Sequence, residues 1–234
     1  MITQPQANAT AVPDPDEERR RIQTARLLAY RDDGPLVHAL APRLGKGFPP
    51  VPMLLIALLA TIGLAVAGLS PLISVGVMIV LVLPTGARDH LGRLDWLVPP
   101  LLRGTEFLAL ILIGLTYDAP KWLLFVLLYV VGYHTYDTVY RTRQSIWPPT
   151  WVFMAGLGWE VRLLIITAGA ALGILTPVLY VLTGYLLVLF AVESVTSWVR
   201  LDKASAQASA DAEQDLEASP EEALEQATGE AEKG

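Results

Sequence analysis

Charged side chains are absent from two long stretches of the chain, residues 47–87 and 163–192, which are 41 and 30 residues long. Uncharged apolar runs beyond about 18 residues read as membrane-crossing helices. The pattern predicts six of them: Val51–Gly68, a second ending near Ala87, Leu97–Tyr117, Trp122–Tyr140, Val152–Leu175 and Val178–Val199. Tight turns at Leu69-Ser70-Pro71, Asp118-Ala119-Pro120-Lys121 and Thr176-Pro177 close three hairpins. The expected fold class is all-α, a polytopic membrane protein of six transmembrane helices.

Basic residues set the orientation, because Lys and Arg stay on the cytoplasmic side of short loops. Of 17 Lys and Arg, only Lys121 falls in the turns after helices one, three and five. Both termini are therefore expected in the cytoplasm, with the chain in the plasma membrane. All six Trp residues (96, 122, 147, 151, 159 and 198) fall at expected helix ends or in flanking loops, as an aromatic belt requires.

Composition agrees with the pattern. Hydrophobic residues are 53% and charged residues 17%, with mean hydropathy +0.45; a soluble domain carries about 25% charge. A water-soluble enzyme is excluded. The net charge of −6 comes from an acidic C-terminal stretch that hides a basic membrane domain. Cysteine is absent, which removes disulfides, thiolate metal sites and a cysteine nucleophile. Four regions follow: 1–16, polar and expected to be disordered; 17–46, an interfacial helical segment; 47–200, the six-helix domain; and 201–234, an acidic low-complexity tail, frayed or disordered. In the second region Ile22, Ala25, Leu28 and Ala29 share one face, suited to the inner leaflet.

The last four helices are interrupted by charge. Only 30 residues separate Glu106 from Asp137, and 30 separate Arg162 from Glu193, where two full spans need about 40. Each hairpin is short by about ten residues, so its flanking charges are drawn in from the cytoplasmic side. Carboxylates at that depth are costly unless they face a protein interior or a wet cavity. Glu106, His134, Asp137, Glu160 and Glu193 are therefore expected to converge on one cytoplasm-facing pocket, with Arg103 and Arg162 at the same depth. The alternative is local thinning of the bilayer, with the charges at the headgroups.

Helix four carries Tyr129, Tyr133, Tyr136 and Tyr140 at spacings of 4, 3 and 4, beside His134, Asp137 and Arg141. Such a His-x-x-Asp pair, with tyrosine hydroxyls lining a pocket, suits a substrate or metal; an internal Asp137–Arg141 ion pair serves as well. The loop 86–95 could hold a phosphate through Arg88 and Arg93, or act only as a positive-inside loop. Arg31-Asp32-Asp33-Gly34-Pro35-Leu36 reads first as a helix cap and turn, and second as a metal-binding diacid. No Walker A, Gly-x-Ser-x-Gly or His-Glu-x-x-His motif occurs.

The segments 31–36, Gly-Arg-Leu-Asp-Trp-Leu-Val-Pro-Pro-Leu-Leu-Arg (92–103), His-Thr-Tyr-Asp-Thr-Val-Tyr-Arg (134–141) and Gly-Trp-Glu-Val-Arg-Leu-Leu (158–164) carry a resemblance. Over about residues 25–200 the chain resembles an uncharacterised actinobacterial six-helix membrane-domain family. Its members are often fused behind nucleotidyltransferase and CDP-alcohol phosphatidyltransferase domains. The resemblance implies phospholipid or polar head-group metabolism, but no activity for this domain. The CDP-alcohol phosphatidyltransferase signature itself is missing: Gly86-Ala87-Arg88 is a fragment with no Asp pair before it.

Three functions compete. In the first, Glu106, Asp137, Glu160 and Glu193 hold Mg or Mn, and His134 or Asp137 activates a hydroxyl. Arg88, Arg93, Arg103 and Arg162 bind phosphates in this reading, which makes a metal-dependent phospho-alcohol transferase. In the second, the chain is a non-catalytic accessory or scaffold subunit of a phospholipid-synthesis enzyme, its polar cluster holding helices together. The third, a small transporter, is disfavoured because the charges share one depth. Expected partners are membrane lipid and a CDP-alcohol phosphatidyltransferase-type enzyme or a second copy, with no nucleic acid.

Overall fold

Proline opens the first four helices. The computed structural model describes residues 14–231 apart from Lys46, Gly47 and Asp89, with side chains as far as Asp211. Helices α1 (Pro15–Arg31), α2 (Pro35–Leu44), α3 (Pro50–Val66) and α4 (Pro71–Val82) each begin on a proline. Its fixed φ and missing N–H suit that first position. They are followed by α5 (Val98–Thr116), α6 (Lys121–Arg143), α7 (Thr150–Ala155), α8 (Gly158–Ala171) and α9 (Leu175–Ala231). No strand occurs among the described residues. The expected disordered N-terminus lies outside the described residues up to position 13; from there Asp14 caps α1, accepting from the Asp16 N–H at 3.0 Å.

The chain falls into two units, divided between Phe190 and Ala191. In the first, α5 packs against α1, α3, α4, α6 and α8, and α3 lies along α4 as a hairpin. The core is aliphatic, with Leu54, Met78, Leu102, Ile113, Leu127 and Leu163 fully buried. The opposite faces are apolar too: α3 turns Leu55, Ile56, Leu59 and Ile62 outward. A helix apolar on all sides belongs in a large core or a bilayer. The second unit is the remainder of α9, exposed from Asp202 to Asp211.

Three helical stretches are long and apolar enough to cross a membrane: Asp95–Thr116, Thr150–Ala171 and Leu175–Asp211. The six full-length spans expected are not all matched. The first hairpin, expected to have no length deficit, consists of the shorter apolar helices Pro50–Val66 and Pro71–Ala87. Seventeen residues reach about 26 Å, less than a ~30 Å hydrocarbon core. Pro84 contributes: lacking an N–H, it ends α4, and the chain tightens into a 3₁₀ turn over Leu83–Ala87. The expected fifth span is broken. Leu157 adopts φ +68° and Gly158 φ +61°, which separates α7 from α8.

A candidate site: the buried ionic network

The break between α7 and α8 is the seat of the polar cluster. An interrupted helix strands carbonyls that must find donors. Arg162, one turn into α8, donates from Nη1 to the Gly156 carbonyl at 3.0 Å. Its other nitrogens go to two acids, with Nη2 at 2.8 Å from Asp32 Oδ2 and Nε and Nη2 at 3.1 and 3.0 Å from Glu106 Oε1. Arg103, one turn before Glu106 on α5, bridges the same pair, donating to Glu106 Oε2 and lying 3.4 Å from Asp32. Two guanidinium groups and two carboxylates thus cancel in a buried quartet. Burial alone would raise the Asp32 carboxyl; the Arg162 guanidinium, then His134 and Arg103, overcome this and hold it well below the usual carboxylate range.

Asp32 sits there because it ends α1 in the left-handed conformation, φ +54°, a role Asp and Asn tolerate better than most residues. The turn it makes also presents Asp33. The Asp33 carboxylate accepts from Trp159 Nε1 at 2.9 Å and from Arg31 Nε at 2.7 Å. Arg31, fully buried, donates onward from Nη1 to Thr85 Oγ1 and His90 Nε2, each at 3.2 Å. His90 donates from Nδ1 to the Arg88 carbonyl at 2.8 Å. Burial and the Arg31 charge push the His90 pKa down, against the raising effect of the Arg88 carbonyl, Asp33 and Asp95. A neutral imidazole accepting at Nε2 fits this geometry.

Gly34 and Gly158 make the approach possible. A Cβ on Gly34 would lie 2.3 Å from the Leu157 carbonyl oxygen, and one on Gly158 would lie 2.4 Å from Gly34 Cα. Backbone therefore packs on backbone where the α1–α2 turn meets the α7–α8 break. The Trp159 N–H closes the contact on the Asp32 carbonyl at 3.3 Å. Glu160 completes it: its carboxylate accepts from the Gly34 and Val37 N–H groups at 3.2 and 3.3 Å. α2 has no cap of its own, since Gly34 at its N-cap carries no side chain. Glu160 caps it from another helix, its carboxyl oxygens taking N–H groups that α2 itself leaves unpaired.

The family model described as a family of unknown function, DUF5941, matches residues 22–215. The chain belongs to that family. No curated protein matches it, and no solved structure matches it. The family match takes in every residue of the network, from Arg31 to Arg162.

Set against these contacts, the residues singled out in this DUF5941 chain are distributed unevenly. Glu106, Arg103 and Arg162 do meet, and His134 joins them, its Nε2 3.8 Å from Asp32 Oδ1 and its ring stacked on Phe190 at 3.8 Å. Asp137 pairs with Arg141 one turn on, at 2.8 Å. Glu160 caps α2, and Glu193, in the second unit, accepts from Ser197 at 3.0 Å. Among the described residues no group of three or more His, Asp or Glu is placed to share an ion.

Arg88 and Arg93 lie in the connection between α4 and α5. Arg88 follows the 3₁₀ turn and Arg93 is exposed in the next turn. The tyrosines do not line a pocket. Tyr129, Tyr133, Tyr136 and Tyr140 are exposed, stacked in pairs at 6.4 and 6.1 Å along the outer face of α6. Trp159 is not a belt residue either, being fully buried. Sequence reasoning missed Arg31, Asp32 and Asp33 as members of the site. The signal available was charge balance: two arginines drawn into apolar helices need more than Glu106.

Proposed function

We propose that this chain is a multi-pass membrane scaffold, an accessory subunit whose ionic network latches the α1–α2 hairpin onto the helix bundle. The observation that carries this reading is the internal neutralisation of the buried charge. Asp32, Glu106, Arg103 and Arg162 satisfy one another, and Arg31 satisfies Asp33. Groups so engaged must break 3–5 kcal/mol contacts, in order of magnitude, before they can serve a substrate. In this reading α3, α4, α5, α6, α7–α8 and α9 are six passes, with both termini cytoplasmic. The confinement of all Lys and Arg but Lys121 to one set of connections supports that orientation. The partner is a CDP-alcohol phosphatidyltransferase-type enzyme or a second copy of the chain, the class implied by the resemblance of residues 25–200.

One observation favours the enzymatic alternative, a metal-dependent phospho-alcohol transferase. His134 Nε2 and Asp32 Oδ1 face each other and neither has a hydrogen-bond partner. Such a pair could pass a proton to a hydroxyl. Titrating the purified protein with Mn²⁺ and reading the free ion by electron paramagnetic resonance separates the two. The scaffold requires no saturable site. Stoichiometric Mn²⁺ uptake that disappears in Glu106→Gln would sink it and restore the enzyme.

A further inference from the structure

A cavity of about 610 Å³ opens between α1, α2, the loop that follows α4, and α7, touching the ionic network only at Asp33. Its volume is that of a small-molecule site. Its lining divides chemically into the polar Arg20, Arg21 and His38 and the apolar Leu28, Val37 and Phe153. We infer that it binds one anionic phospholipid, with the phosphate at Arg20 and Arg21 and an acyl chain along the apolar residues.

Helical spacing on α1 builds this division. Arg21, Ala25 and Leu28 follow one another along a single stripe, with Arg20 and Thr24 beside it. One face thus passes from cationic to apolar over two turns. The arginines are available. Arg21 has Glu17 at 3.7 Å, but both side chains are 66% exposed, and such a pair exchanges readily for a phosphate. His38 donates from Nδ1 to the Gly34 carbonyl at 2.8 Å, so its Nε2 is left as an acceptor, suited to a hydroxyl of the lipid rather than to a phosphate oxygen.

Nothing on the wall repels an anion. Asp33 is the one acid lining the cavity among the described residues, and Arg31 and Trp159 already engage it. Behind the wall at Gly86, the buried Arg31 keeps its Nη2 without a partner, 3.5 Å from where a Gly86 Cβ would stand. A free phosphate would leave Leu28, Val37 and Phe153 facing water, whereas a lipid covers them.

Native mass spectrometry of the full chain in detergent tests this with three probes: dioctanoyl phosphatidate, dioctanoyl phosphatidylcholine and inorganic phosphate. The expected result is a single saturable phosphatidate adduct, roughly tenfold tighter than any phosphatidylcholine adduct. Arg20→Ala with Arg21→Ala should weaken it about tenfold, as expected for lost charge-assisted bonds. Ala25→Trp should abolish it by filling the cavity without altering charge. Arg20 and Arg21 are exposed, so the double variant keeps the fold and the parent's melting temperature.

Equal binding of phosphatidylcholine, unchanged binding in both variants, or competition by equimolar inorganic phosphate would each overturn the inference. The inference goes beyond the scaffold reading. Its failure leaves that reading standing, because the Mn²⁺ titration reads Glu106 and this experiment reads Arg20 and Arg21.

Discussion

Arg162 reaches two acids from different helices and a stranded carbonyl because a guanidinium presents five donors in a rigid plane. A lysine there could not serve the three at once. His90 is one residue through which the network responds to pH. Its folded pKa lies below the ordinary value, so the unfolded chain takes up the proton first. The stabilisation is complete above about pH 6.5 and is lost as pH falls below it. Asp32, held well below the usual carboxylate range, keeps its charge through that window. Between pH 7.5 and 5.5 the melting temperature of the parent in detergent should therefore fall relative to that of His90→Gln. Equal slopes for parent and variant would remove His90 from the account.

Among the elements, α2 depends most on its neighbours. It is 10 residues long, holds Pro42 within it and has no side-chain cap of its own. Isolated helices of that length are marginal in water. The backbone contact of Gly34 with Leu157 and the Glu160 carboxylate supply what α2 lacks. Gly34→Ala should be destabilising by about 2 kcal/mol, typical of overpacking. That corresponds to a melting temperature lower by roughly 4–8 °C for a chain of this size. Gly104→Ala is the control, since its Cβ would enter open space within α5. It should be neutral or slightly stabilising, because Ala favours helix over Gly. A Gly34→Ala protein as stable as the control would show that the turn and the break do not need close approach.

For the molecule as a whole, the proposed topology places the α5–α6 turn outside and the α6–α7 connection inside. The chain has no cysteine, so a single introduced thiol is an unambiguous reporter. Tyr117→Cys and Gln144→Cys sit at the two ends of α6. In intact cells a membrane-impermeant maleimide should label the first and spare the second, with both labelled after lysis. The reverse pattern would invert the orientation, and labelling of both in intact cells would mean that α6 does not cross.

The apolar runs alone determined that the chain is helical and carries stretches long and apolar enough to cross a membrane, since its charge-free stretches of 30 and 41 residues exceed the about 18 that one span needs. Their ends were legible to within a few residues: Leu97–Tyr117 was expected where α5 runs from Val98 to Thr116. The sequence also marked Arg103, Glu106, His134 and Arg162 as sharing a depth, because hairpin length fixes height in the slab. It could not tell which acid each cation would choose. Depth constrains one coordinate, whereas an ion pair requires azimuth and approach as well, and these come from packing. Only the tertiary structure decided that Asp32, 130 positions from Arg162, would be its partner. Two glycines without Cβ atoms let the α1–α2 turn enter the break in the fifth apolar run. Once that turn was seated, Asp32 lay within reach of both Arg103 and Arg162.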